Sequence, residues 1–161
     1  MPAKKGRTIK KTPPEIPHEK KVQLQLHHAR KEVERQHRSD FPDKIWTRIR
    51  QKEALTGKMT TAQIINFETI GRSKLKALNN VYQILQLGER EITAPSQKEY
   101  EHAKAKTNPT LADELIIDFA QVYKKNPKES PKTIWIRIIS NKRAEETEIE
   151  TRALIEKLLS N

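Results

Sequence analysis

Apolar residues recur at helical spacing through most of this chain. Over residues 20–38, Val22, Leu26, Ala29 and Val33 fall at i, i+4, i+7 and i+11, one stripe of a first helix, with Arg30, Lys31, Arg35 and Arg38 facing elsewhere. Val22, Leu24 and Leu26 also alternate like a short strand, but the helical pattern continues beyond Leu26 and no partner strand is evident. Residues 60–70 read as a short helix broken at Gly71. Ser73 then offers an N-cap to a helix over 74–87 that stops at Gly88 and buries Leu75, Leu78, Val81, Tyr82 and Leu85. Ser96 with Glu99 can cap a short solvated helix through 106, and Thr110 with Asp113 opens another. That one carries Leu111, Leu115, Ile116, Phe119, Val122 and Tyr123 as far as about Lys125, where Asn126-Pro127 ends it. A last helix over 144–159 has Ala144, Thr147, Thr151, Leu154, Ile155 and Leu158 as its stripe. The pattern predicts an all-α protein.

One octet occurs twice. Residues 42–49, PDKIWTRI, return 89 positions later as residues 131–138, PKTIWIRI, with five of the eight places identical and both tryptophans of the protein included. The flanks agree weakly: Val33 matches Val122, Arg35 answers Lys124 and Asp40 answers Glu129. Proline at a first helical turn has its φ already set and lacks an N–H that would be orphaned there, so Pro42 and Pro131 mark helix starts, the second capped by Ser130. Within each octet Ile, Trp and Ile make a compact apolar face. The expectation is two related helical units, each with a buried Trp as its keystone.

Composition thins this picture and charge divides it. Of 161 residues 34% are hydrophobic and 33% charged, which points to thin helical layers. Net charge is +11: residues 1–90 hold 20 Lys/Arg against 9 Asp/Glu, while residues 91–161 hold 12 of each. Residues 1–21, with seven Lys/Arg and four prolines, read as a disordered basic arm. The organisation expected is that arm, a basic helical unit over 22–90, a polar linker over 91–109 and a neutral helical unit over 110–161. There is no cysteine, hence no disulfide or thiolate metal site, and no apolar run long enough to cross a membrane. A soluble protein of the cytoplasm, nucleoid or nucleus is expected.

A one-sided positive field attracts a polyanion, most often nucleic acid. The helix, Gly71 turn and following helix have the outline of a helix-turn-helix, although Phe67 and Arg72 stand where that unit wants a small and an apolar residue. The binding set expected is Lys4, Lys5, Arg7, Lys10 and Lys11 on the arm, with Arg72, Lys74, Lys76, Asn79, Asn80 and Gln83 presented outward by the second helix. Phosphates would be met by the arm and base edges by the Asn and Gln side chains, DNA being the expected target. The neutral helices would serve assembly, as a homodimer or toward a protein partner. The alternative is a protein-interaction module, such as an adaptor, an antitoxin-like partner or an exported effector, whose basic half meets an acidic protein.

Catalytic and cofactor patterns are missing: four glycines make no phosphate-cradling loop, and no nucleophile elbow or zinc helix occurs. No enzyme activity, metal or cofactor is expected. Asp113, Glu114 and Asp118 line one helical turn where Mg²⁺ could sit, but capping and solubility explain them more simply. His27, His28 and His37 read as solvated polar residues.

Overall fold

The computed structural model describes residues 18–56, 59–87 and 92–160. Among these it contains seven helices and no strand: α1 His18–Gln36, α2 Pro42–Thr56, α3 Thr61–Thr69, α4 Lys74–Leu87, α5 Gln97–Ala105, α6 Leu111–Lys125 and α7 Pro131–Leu159. The starts follow local chemistry. Thr60, Ser96 and Thr110 each close a reciprocal capping box, with Gln63, Glu99 and Asp113 respectively. Ser130 accepts from the Thr133 N–H ahead of Pro131. Between α3 and α4, Gly71 has φ +71°, a left-handed turn that an L side chain rarely adopts, and Ser73 Oγ accepts from the Lys76 N–H at 3.2 Å. Gly88 and the arm residues 1–17 lie outside the described residues.

Both Trp octets start a helix, and both indoles are buried, Trp46 at 4% and Trp135 at 0% exposure. Ile45, Trp46 and Ile49 pack with Met59, Ile64 and Ile84 in a small cluster under α2. Trp135 belongs to a larger one. Its Nε1 donates to the Thr93 carbonyl at 2.6 Å and its ring lies 4.7 Å from that of Phe119. That larger core takes Ile65 from α3, Leu78 and Leu85 from α4, Ala103 from α5, Leu115 and Phe119 from α6, and Ile134 and Ile139 from α7.

Two expectations change here. Residues 131–159 form one helix of 29 residues, not an octet followed by a separate helix, since neither Gly nor Pro stands in the run after Pro131. Nor is 91–109 a free linker or strut. Although its apolar content is low, Ala103 is 1% exposed with Tyr100 packed beside it, α5 docks on α6, and Thr93 exchanges hydrogen bonds with Thr61. The basic and neutral halves therefore share one core, with α4 packed on α7 and α3 on α6.

Candidate functional site

The second helix of the Gly71 hairpin, α4, was expected to present its polar side chains outward. Several of them instead hold the connection between α1 and α2. Asn80 is fully buried: its Oδ1 accepts from the Asp40 N–H at 3.0 Å and its Nδ2 donates to Glu68 Oε1 at 3.0 Å. Lys76 Nζ reaches Asp40 Oδ1 at 2.9 Å and the Arg38 carbonyl at 2.8 Å. Asn79 Nδ2 donates to the His37 carbonyl and its Oδ1 accepts from Arg143 Nε at 2.8 Å. Three of the expected contact residues, Lys76, Asn79 and Asn80, are thus spent inside the molecule, because a loop entering a packed layer must have its backbone groups met by side chains. Arg72 is only partly exposed and lies 3.9 Å from Glu68. Lys74 is exposed and Gln83 half-buried. Lys4, Lys5, Arg7, Lys10 and Lys11 lie outside the described residues.

A charge network underlies this arrangement. Glu68 on α3 has 0% exposure, and Arg48 of the first Trp octet meets both its oxygens at 2.9 and 3.1 Å while reaching Asp40 at 2.7 Å. Burial pushes the Asp40 carboxyl up, but Lys76 and Arg48 together outweigh it and hold the group below the usual aspartate range. In the second octet Arg137 likewise reaches back eight residues, to Glu129 at 2.6 Å. His37 bridges three helices: Ser73 Oγ lies 2.9 Å from its Nδ1 and Glu150 Oε1 lies 2.6 Å from its Nε2. Since the Ser73 hydroxyl also caps α4, this chain of groups ties the end of α1 to α4 and α7.

Beside that junction the first, fourth and seventh helices enclose an open cleft of about 760 Å³. Arg30, Lys31, Arg35 and Arg38 line it from the α1 side, Asn79 and Gln83 from α4 and Arg143 from α7, with Glu34 and Glu148 as the acids among the lining residues. Arg30 pairs with Glu148 at 2.9 Å, and Arg35 pairs with Glu32 on the solvent side. Lys31 is 4.0 Å from Glu34. The Arg143 guanidinium lies 4.2 Å from the centre of the Tyr82 ring, held flat by that stack and by Asn79. Arg38 sits exposed at the mouth. Five cations against two carboxylates give this concave wall an excess of positive charge.

Sequence reasoning placed these arginines off the apolar stripe but gave them no site. Lys31, Arg35 and Arg38 at i, i+4 and i+7 do mark one basic face of a helix. Nothing local announces Arg143, which arrives from 64 residues beyond Asn79.

The acids of α6 go to separate partners. Asp113 caps its own helix and pairs with Lys106 at 3.0 Å; burial raises its carboxyl, but the Thr110 N–H and Lys106 bring it below the ordinary range. Glu114 pairs with Lys142 at 3.2 Å. Asp118 is pushed up by burial, with Lys142 opposing and Glu114 and Glu145 adding to the rise. Among the described residues no group of three His, Cys, Asp or Glu could hold a metal ion, and no helix is long and apolar enough to cross a membrane. Comparison with known proteins gives no match to a family model, a curated relative or a solved structure.

Proposed function

We propose that this protein binds nucleic acid by its phosphate backbone, with the cleft between α1, α4 and α7 as the grip and the basic residues ahead of α1 adding to the charge that draws the polyanion in. The observation that carries the reading is the cleft itself, where five Lys/Arg side chains face two acids on a concave surface. Lys4, Lys5, Arg7, Lys10 and Lys11 precede α1, the helix that supplies three of those five cations, Arg30, Lys31 and Arg35. Arg38 and Gln83 line the cleft and Lys74 is exposed on α4, whereas Asn79 and Asn80 are already hydrogen-bonded inside. Sequence preference is therefore weak, and charge neutralisation supplies most of the affinity. The reading fits an accessory protein of the cytoplasm or nucleoid with no catalytic role.

The paired octets are part of the same proposal. The succession of α1 and α2 and that of α6 and α7 each have a helix, a short connection holding an acid, and a Pro-started helix whose Arg returns to that acid eight residues back. We read them as two copies of one unit, the first of which carries the basic face of the cleft.

The test is electrophoretic mobility with duplex DNA, single strands and structured RNA at two salt concentrations. Binding is expected to fall steeply with salt, by a slope of about 0.9 for each phosphate neutralised on duplex DNA. Arg35→Glu with Arg38→Glu is expected to weaken all sequences alike, and removing residues 1–21 to flatten the salt slope. No binding at low salt, or full binding by the double variant, overturns the proposal.

A further inference from the structure

The five cations of the cleft between α1, α4 and α7 are not equivalent. Arg30 pairs with Glu148, Lys31 lies beside Glu34 and Arg35 pairs with Glu32, whereas Arg38 and Arg143 have no carboxylate partner among the described residues. Arg38 is exposed. Arg143 is half-buried and fixed from two sides: its Nε donates to Asn79 Oδ1 at 2.8 Å, and its guanidinium carbon lies 4.2 Å from the centre of the Tyr82 ring. Asn79 is itself anchored, because its Nδ2 donates to the His37 carbonyl. Both partners of Arg143 are uncharged, so they set the plane of the guanidinium without neutralising it.

The helices decide which way that plane faces. Asn79 and Gln83, one turn apart on α4, line the cleft, while Tyr82 between them does not; Arg143 lines it from α7. The guanidinium therefore lies between the phenol ring and the open recess, one face on tyrosine and the other toward the cleft. The side chains that α7 sets beside it, Ser140, Ala144 and Thr147, are too short to fold over it. A flat cation backed by an aromatic ring is a surface on which a nucleic-acid base stacks. A duplex cannot use such a surface, because its bases already cover one another's faces. An opened strand can, and a recess of about 760 Å³ is of the size that takes a small ligand. We infer that the cleft selects single-stranded nucleic acid, with one unstacked base lying on Arg143 and the neighbouring phosphates meeting Arg35 and Arg38. Every base has such a face, so the selection is for an open strand and not for its sequence.

The inference rests on the nucleic-acid reading of the cleft, and the experiment separates the failure of one from the failure of the other. Fluorescence anisotropy follows the full chain binding one labelled DNA strand in three forms at the same low salt: the single strand, the same strand without its bases, and the duplex. The intact and abasic strands carry the same phosphates, so their difference reports the bases alone. The unaltered chain is expected to bind the intact strand about tenfold more tightly than the abasic one, and more tightly than the duplex in spite of the duplex's denser charge. Arg143→Lys keeps the charge but not the flat face, and is expected to bring the intact and abasic strands within about twofold of each other. Helix content and melting show whether that variant folds, and the abasic comparison on the unaltered chain needs no variant. Equal binding of the intact and abasic strands, tighter binding of the duplex, or a folded Arg143→Lys chain that keeps the full advantage of the intact strand would each overturn the stacking and leave the cleft as a grip on phosphates alone. Binding of none of the three forms overturns the nucleic-acid reading itself, and the inference with it.

Discussion

At the scale of single residues, the polar side chains near α4 behave as structural fasteners. Glu68 has 0% exposure and is tolerable there because Arg48 meets both its oxygens and Asn80 donates a further bond. Arg48→Met, which keeps most of the packed stem and deletes the cation, is expected to cost about 3–5 kcal/mol by leaving that carboxylate unpaired. Urea denaturation would measure it, and a change below about 1 kcal/mol would mean that Arg72 or water replaces the lost partner. Asp40 gives a pH signature. Its folded carboxyl titrates below the usual range because Lys76 and Arg48 outweigh burial, so it binds protons less readily folded than unfolded. The stability it contributes is present above the unfolded aspartate value and is lost as pH falls through the folded one. Asp40→Asn is therefore expected to flatten the acid side of the stability profile while lowering stability at neutral pH.

At the scale of elements, most boundaries are set by residues one can point to. Thr60, Ser96, Thr110 and Ser130 each satisfy an orphan N–H at a helix start. Gly71 is the sharpest of these devices. Open space surrounds the point where a Cβ would stand, so Gly71→Ala meets no clash and reports backbone strain alone. A loss of about 1 kcal/mol is expected from forcing an L residue to φ +71°. An unchanged melting temperature would show that the turn relaxes to another conformation.

At the scale of the whole molecule, the decisive fact is that one core crosses from the basic half to the neutral half. Trp135 binds the Thr93 carbonyl and packs on Phe119, while α7 lies against both α1 and α4. Trp135→Ala is therefore expected to cost about 3–5 kcal/mol and to destabilise both halves in a single transition. Fluorescence of the remaining Trp46 follows the first half directly. If it melted at its original temperature in this variant, the halves would be independent. For the same reason a fragment of residues 110–161 is expected not to fold alone, since α6 and α7 would expose the faces they now bury against α3, α4 and α5.

The helical class, the caps, the Gly71 turn and the burial of both Trp octets were legible in the sequence because each depends on neighbours within a few residues. Spacing at 3.6 residues places a stripe, Ser or Thr with Glu, Gln or Asp three places on closes a cap, and glycine alone accepts a positive φ without strain. Which polar residues would stay free was not legible. Lys74, Lys76, Asn79 and Asn80 look alike along the helix, yet only the arrival of residues 37 to 41 over α4 turns Lys76, Asn79 and Asn80 inward and leaves Lys74 exposed. The basic cleft was half visible, as the Lys31, Arg35 and Arg38 face, and was completed by Arg143 of α7, 105 positions beyond Arg38. Sequence determines what one helix offers, whereas the packing of α1 and α4 on α7 decided which of those offers remain open to a ligand.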